Sequence, residues 1–96
     1  VYNVNGNFEA SNIEVVKIVL RIMKKSEDLI TYVQDRPGQD RRYAINGNLI
    51  KREYGFEPKI GFEKGIQETV EWYLKNQTWW KKIAFKRIKN PTPWIK

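Results

Sequence analysis

The chain has 96 residues, 41% of them hydrophobic and 14% aromatic, with 18 Lys and Arg against 11 Asp and Glu for a net charge of +7. That size allows one small domain with a thin stability margin, and that apolar content excludes a disordered segment. With no Cys and no His there is no disulfide framework, no zinc thiolate, no thiol nucleophile and no imidazole base, and no apolar run reaches the length of a bilayer span.

These exclusions point to a protein of the reducing cytoplasm with no membrane partner and no metal, whose positive charge favours an anionic ligand. The chain opens at Val1 on "VYNV", residues rich in β-formers, so a strand is expected over residues 1–4, and the abrupt start reads as a piece of something longer. "NGN" at residues 5–7 is a turn signal; its single Gly and lack of a phosphate-loop Lys make it no phosphate cradle. Ser11 followed three residues later by Glu14 is a capping box, and Ile13, Val16, Leu20 and Met23 then recur at helical spacing, which predicts a helix with a wide apolar stripe to pack on a neighbour. "DLITYV", residues 28–33, predicts a second strand.

Next comes "DRPGQDRRYAIN", residues 35–46, where Arg36, Arg41 and Arg42 crowd around a Pro37-Gly38 turn with only Asp35 and Asp40 to pair with them. Pro at the second position and Gly at the third fit a type II turn, which would fix the backbone between Arg36 and Gln39. If both aspartates pair with arginines the loop merely holds itself, yet even then one guanidinium is left over, and a guanidinium fork suits phosphate oxygens. The spacing of Asp35 and Asp40 does not match a calcium loop, and Glu9 and Glu14 lack the partner and setting of a catalytic acid.

Beyond the loop, "RYAI" predicts a short strand over residues 42–45, and Asn46 can cap a small helix ending at Gly55. A longer helix is predicted over residues 62–76, weakly capped by Gly61, and a last one through Trp79, Trp80, Ile83 and Ile88 to about Asn90. It carries the basic run Lys81, Lys82, Lys86, Arg87 and Lys89, a solvated face in the plain reading and a nucleic-acid-binding module in the rival one. The expected fold class is α+β, about four helices with short strands, with residues 1–90 as one domain and residues 91–96 as a proline-interrupted tail.

The stretches "YNVNGNFEASNIEVVK", "LITYVQDRPGQDRRYAIN" and "IKREYGFEPKIGFEKGIQETVEWYLKNQTWW" closely resemble the C-terminal part of dTDP-glucose 4,6-dehydratases, which are extended short-chain dehydrogenase/reductases. The resemblance implies a small sugar-nucleotide-binding domain, a separate Rossmann domain that holds NAD, a homodimeric parent, and a reaction in which a hydride is lent from C4 of the glucose, water leaves across C5 and C6, and the hydride returns at C6. It assigns substrate binding to Asn12, Asp35, Arg36, Pro37, Gly38 and Gln39. Neither the Gly-x-x-Gly-x-x-Gly turn nor the Tyr-x-x-x-Lys pair of that family occurs in the 96 residues, so the chain is not expected to catalyse or to bind NAD alone. Gln39 stands where the usual loop has His, Asn5 and Phe8 replace a usual Gly and Asn, and "NGNLIK" replaces an Asp-Ala-Ser-Lys-Ile type of helix start. These departures leave room for a related nucleotide-sugar dehydratase or epimerase, and for a domain that folds yet binds nothing by itself.

Overall fold

Helix starts and stops dominate the architecture of the computed structural model, which describes residues 1–87. Helix α1 (Asn12–Ile22) begins at the expected capping box: the Glu14 carboxylate accepts from the Ser11 backbone N–H at 2.7 Å, and Ser11 Oγ accepts from the Glu14 N–H at 3.3 Å. After a short 3₁₀ turn at Glu27–Leu29, helix α2 (Asn48–Tyr54) starts one residue later than an Asn46 cap predicts: Gly47 is the N-cap and has no side chain to cap with, while Asn46 Oδ1 accepts from the Asn48 N–H at 2.8 Å in the turn before it. It stops at Gly55, whose φ of +65° places it in the left-handed region suited to a C-cap. Helix α3 (Phe62–Lys75) leads through Asn76 into helix α4 (Gln77–Arg87). The predicted end of the last helix, Lys89 and the tail at residues 91–96 lie outside the described residues.

The expected strands are not formed, and among the described residues the fold is helical rather than α+β. Residues 1–4, 28–33 and 42–45 join no ladder; the start of the second segment, residues 28–29, instead belongs to the 3₁₀ turn Glu27–Leu29 capped by Ser26, whose Oγ accepts from the Asp28 N–H at 3.1 Å. The reason is partnership. β-branched and aromatic residues favour a pleated surface only where a neighbouring strand takes up the backbone hydrogen bonds, and among the described residues no strand lies beside those segments. Residues 1–5 lie against α2 instead: the Tyr2 hydroxyl donates to Glu53 at 2.5 Å, its ring meets Tyr54 edge-on at 5.4 Å, and the Asn5 side chain occupies the space beside Gly47.

Two seams hold the helices together. Between α1 and α3, Phe8 stacks on Phe62 with ring centres 4.2 Å apart and Arg21 pairs with Glu63 at 3.0 Å. Between α3 and α4, Trp72 meets Trp79 at 5.5 Å and the Trp80 indole N–H donates to the Tyr73 carbonyl at 2.7 Å. Neither seam closes a core: no hydrophobic side chain is fully buried among the described residues, and the stripe of α1 is only half covered, with Val16 and Met23 exposed.

The accessible surface of 9094 Å² exceeds the roughly 5,800 Å² expected of a compact chain of this mass by about 3,300 Å². The radius of gyration, 16.9 Å, likewise exceeds the roughly 12.5 Å of a compact domain this long. Among the described residues, much of the apolar helix surface is therefore open to solvent.

Candidate functional site

The arginine loop adopts the turn its sequence calls for. Gly38 has φ +72°, the left-handed value required at the third position of a type II turn, and the Gln39 N–H donates to the Arg36 carbonyl at 3.3 Å to close it. Pro37 fixes the preceding φ, so the two ends of the turn, Arg36 and Gln39, are presented from a defined corner.

The loop's charges do not pair as their sequence proximity suggests. Asp35 accepts from the backbone N–H of Arg36 at 2.7 Å, and Asp40 accepts from the Tyr43 hydroxyl at 2.5 Å. Neither aspartate forms an ion pair with an arginine among the described residues. The carboxylate that does neutralise an arginine comes from 33 residues away: Glu9 takes Arg42 through both oxygens, at 2.9 Å on Nη2 and through Nε on the other. Those hydrogen bonds hold the Glu9 carboxyl below its ordinary range and push the Arg42 guanidinium up. Sequence reasoning weighed Glu9 only as a catalytic acid, and nothing local in the sequence signals its link to Arg42.

Arg36 and Arg41 keep their charge. The Arg36 guanidinium donates from Nη2 to the neutral amide oxygen of Gln39 at 2.6 Å and has no acidic partner among the described residues, nor does Arg41. Its charge is felt nearby: the Tyr43 hydroxyl is pushed up by its bond to Asp40 and by desolvation, with Arg36 pulling the other way.

A cleft of about 640 Å³ is lined by Asn12, Asp35, Arg36, Gln39, Asp40 and Arg41, with Val33 and Gln34 completing it. Four of the six residues singled out in the sequence, Asn12, Asp35, Arg36 and Gln39, therefore share one concavity, while Pro37 and Gly38 shape the turn without lining it. Asn12 is the first residue of α1, so the cleft meets a helix N-terminus, where unpaired backbone N–H groups and the helix dipole favour an anion. Its side-chain amide makes no hydrogen bond among the described residues, and Asn12 and Arg41 also line a second cleft of about 640 Å³ on the side of Glu9 and Arg42. Arg41, one of the three loop arginines though not among the six assigned positions, borders both.

The described residues do not fit a dinucleotide. The six glycines are scattered through turns and caps without the close spacing of a pyrophosphate-binding turn, and no strand leads into a helix. The basic stretch lies on α4, where the Lys81 ammonium sits over the Trp80 ring at 5.7 Å. No helix among the described residues is long and apolar enough to cross a membrane.

No family profile matches the chain. Individual relatives do. The dTDP-glucose 4,6-dehydratase of Xanthomonas campestris pv. campestris is 51% identical over 87 residues, 81% of this chain and 25% of that protein. The dTDP-glucose 4,6-dehydratase of Neisseria meningitidis serogroup B is 44% identical over 93 residues, 85% of this chain and 26% of the relative. Among solved structures, dTDP-glucose 4,6-dehydratase from Bacillus anthracis in complex with NAD superposes with a TM-score of 0.80 at 50% identity, covering 85% of this chain and 26% of that one. The chain spans about a quarter of the length of these relatives.

Proposed function

We propose that this chain, which belongs by sequence and fold with the dTDP-glucose 4,6-dehydratases, is the sugar-nucleotide-binding portion of such an enzyme, with Arg36 gripping the diphosphate. The observation that carries this reading is an unneutralised guanidinium on a rigid turn, facing one cleft with Asn12 at the head of α1. Arg36 can offer its remaining N–H donors to phosphate oxygens, and Asn12 can offer both a donor and an acceptor to the nucleotide. Asp35 holds the turn through the Arg36 backbone, and Gln39 closes it with its N–H on the Arg36 carbonyl and its amide oxygen on the Arg36 guanidinium.

The whole protein then converts dTDP-glucose to the 4-keto-6-deoxy sugar in the cytoplasm. NAD, which supplies the transient hydride acceptor, is held by a dinucleotide-binding portion outside these 96 residues. The chain's own share is to bind and orient the sugar nucleotide, since it has neither His nor Cys and no Tyr-x-x-x-Lys pair for the proton and hydride steps. Its uncovered helix faces suit packing against that other portion, and the excess accessible surface supports such a partner.

An NMR titration of the labelled chain tests this. Addition of dTDP is expected to shift the amide signals of Asn12 and residues 36–39, and NAD to shift none. Shifts confined to the Lys81 and Lys82 face of α4, or appearing only with NAD, refute it.

A further inference from the structure

Within one loop, two arginines are held by side-chain oxygens of opposite kind. Arg42 is held by a carboxylate through two bonds, and its charge is cancelled. Arg36 is held by an amide oxygen at 2.6 Å, and its charge is kept. The two carboxylates nearest Arg36 in sequence are diverted to other donors, Asp35 to the Arg36 backbone at 2.7 Å and Asp40 to the Tyr43 hydroxyl at 2.5 Å. The turn is clasped twice across the same two residues, by the Gln39 N–H on the Arg36 carbonyl and by the Gln39 side chain on the Arg36 guanidinium.

We propose that Gln39 is a positioning residue: its amide oxygen aims the Arg36 guanidinium into the cleft beside Asn12 without neutralising it, so that a nucleoside diphosphate meets a cation already ordered and still charged. The inference rests on the function proposed above and assigns Gln39 an action through Arg36 rather than on the ligand. The physical logic is a division between entropy and charge. A free Arg loses rotamer freedom on binding, at a cost of about 0.5–1.5 kcal/mol for an immobilised long side chain. A carboxylate in place of the amide would remove that cost but compete with the phosphate for the same fork. A neutral acceptor orders the side chain and leaves the attraction intact. Only one of the five guanidinium N–H groups is used in the bond, so the others stay available.

The test is calorimetric titration of the complete protein carrying this segment with dTDP, in wild type and in Arg36→Ala, Gln39→Met, Gln39→Glu and Arg36→Ala/Gln39→Met variants, each first matched to wild type by circular dichroism. Arg36→Ala should weaken binding about 10- to 100-fold, the loss of a charge-assisted contact. Gln39→Met, similar in size but without the acceptor, should weaken it about three- to tenfold through lost ordering, and Gln39→Glu should weaken it more than Gln39→Met does.

In the Arg36→Ala background, Gln39→Met should change nothing further, because its effect passes through the missing guanidinium. A Gln39→Met loss that persists undiminished in that background, or a Gln39→Glu protein that binds like wild type, overturns the positioning role while leaving the diphosphate site standing. Wild-type binding that is absent, or unchanged by Arg36→Ala, overturns the site itself and the positioning role with it.

Discussion

Gly38→Ala isolates the turn from everything around it. A Cβ built at Gly38 has no atom within 4 Å, so the substitution introduces no clash, and its whole effect comes from forcing an L-residue to φ +72°. That conformation costs a residue with a Cβ about 1–2 kcal/mol. Because the loop is exposed and no packed core holds it, the chain should relieve the strain by leaving the turn rather than by storing it.

One to two kcal/mol lowers the equilibrium constant for the turn about 5- to 30-fold, and the apparent affinity for dTDP falls with the competent fraction, by at most that factor. The helices are remote from the change, so far-ultraviolet circular dichroism should stay as it is. Three variants separate backbone from side chain: Gly38→Ala weakens dTDP binding, Gly38→Asn, which tolerates the left-handed region, weakens it less, and D-alanine introduced at the same position by semisynthesis binds at least as well as glycine. Equal affinity of the L-Ala and D-Ala proteins would refute the claim that the turn presents Arg36.

Removing the α1 cap by Ser11→Ala should cost about 1 kcal/mol, and since a helix this short is marginal alone, the loss should appear as reduced helicity and faster amide exchange over residues 12–16. Tyr2, pushed up to about 12 by its hydrogen bond to Glu53, contributes stability that is complete below the ordinary tyrosine value of 10.0 and lost as pH rises through about 12, so a tyrosinate absorbance titration should lose its latest step in Tyr2→Phe. Glu9 runs the other way: its lowered carboxyl keeps the Arg42 pair intact above the usual carboxylate range and releases it as pH falls through the depressed value, a transition that Glu9→Gln should abolish in an NMR pH titration. Gly47→Ala places a methyl group against the tip of the Asn5 side chain, which must turn aside, and should loosen residues 1–5 from the start of α2, seen as faster amide exchange there; Asn5→Gly in the same chain should restore it, and loosening unaltered by the second change would refute the contact.

How much of this was legible in the sequence depends on how local each signal is. The capping box of α1, the Gly55 stop of α2 and the Pro37-Gly38 turn involve residues within four positions of one another, and each forms as read because its partners are supplied by the chain itself. The segments 1–4, 28–33 and 42–45 carry equally clear β-forming residues, yet a strand is a relation to a second strand, and Tyr32 and Val33 stand 81% and 62% exposed where such a neighbour would lie. Among the described residues no second strand meets them. The site shows the same division. Asp35, Arg36 and Gln39 could be grouped from their spacing, whereas the Glu9–Arg42 pair joins positions 33 apart and becomes visible only in three dimensions.

The contact between Asn5 and Gly47 carries this furthest. Read singly, each is a turn residue with only local meaning. In space they are one event, because the Asn5 side chain takes the volume that a Cβ at position 47 would fill. Positions 42 residues apart thus fit against one another where residues 1–5 meet the start of α2. By contrast, the exchange at Gln39 has no such partner: its side chain bonds Arg36 and nothing else among the described residues, so its consequence falls on the anion site.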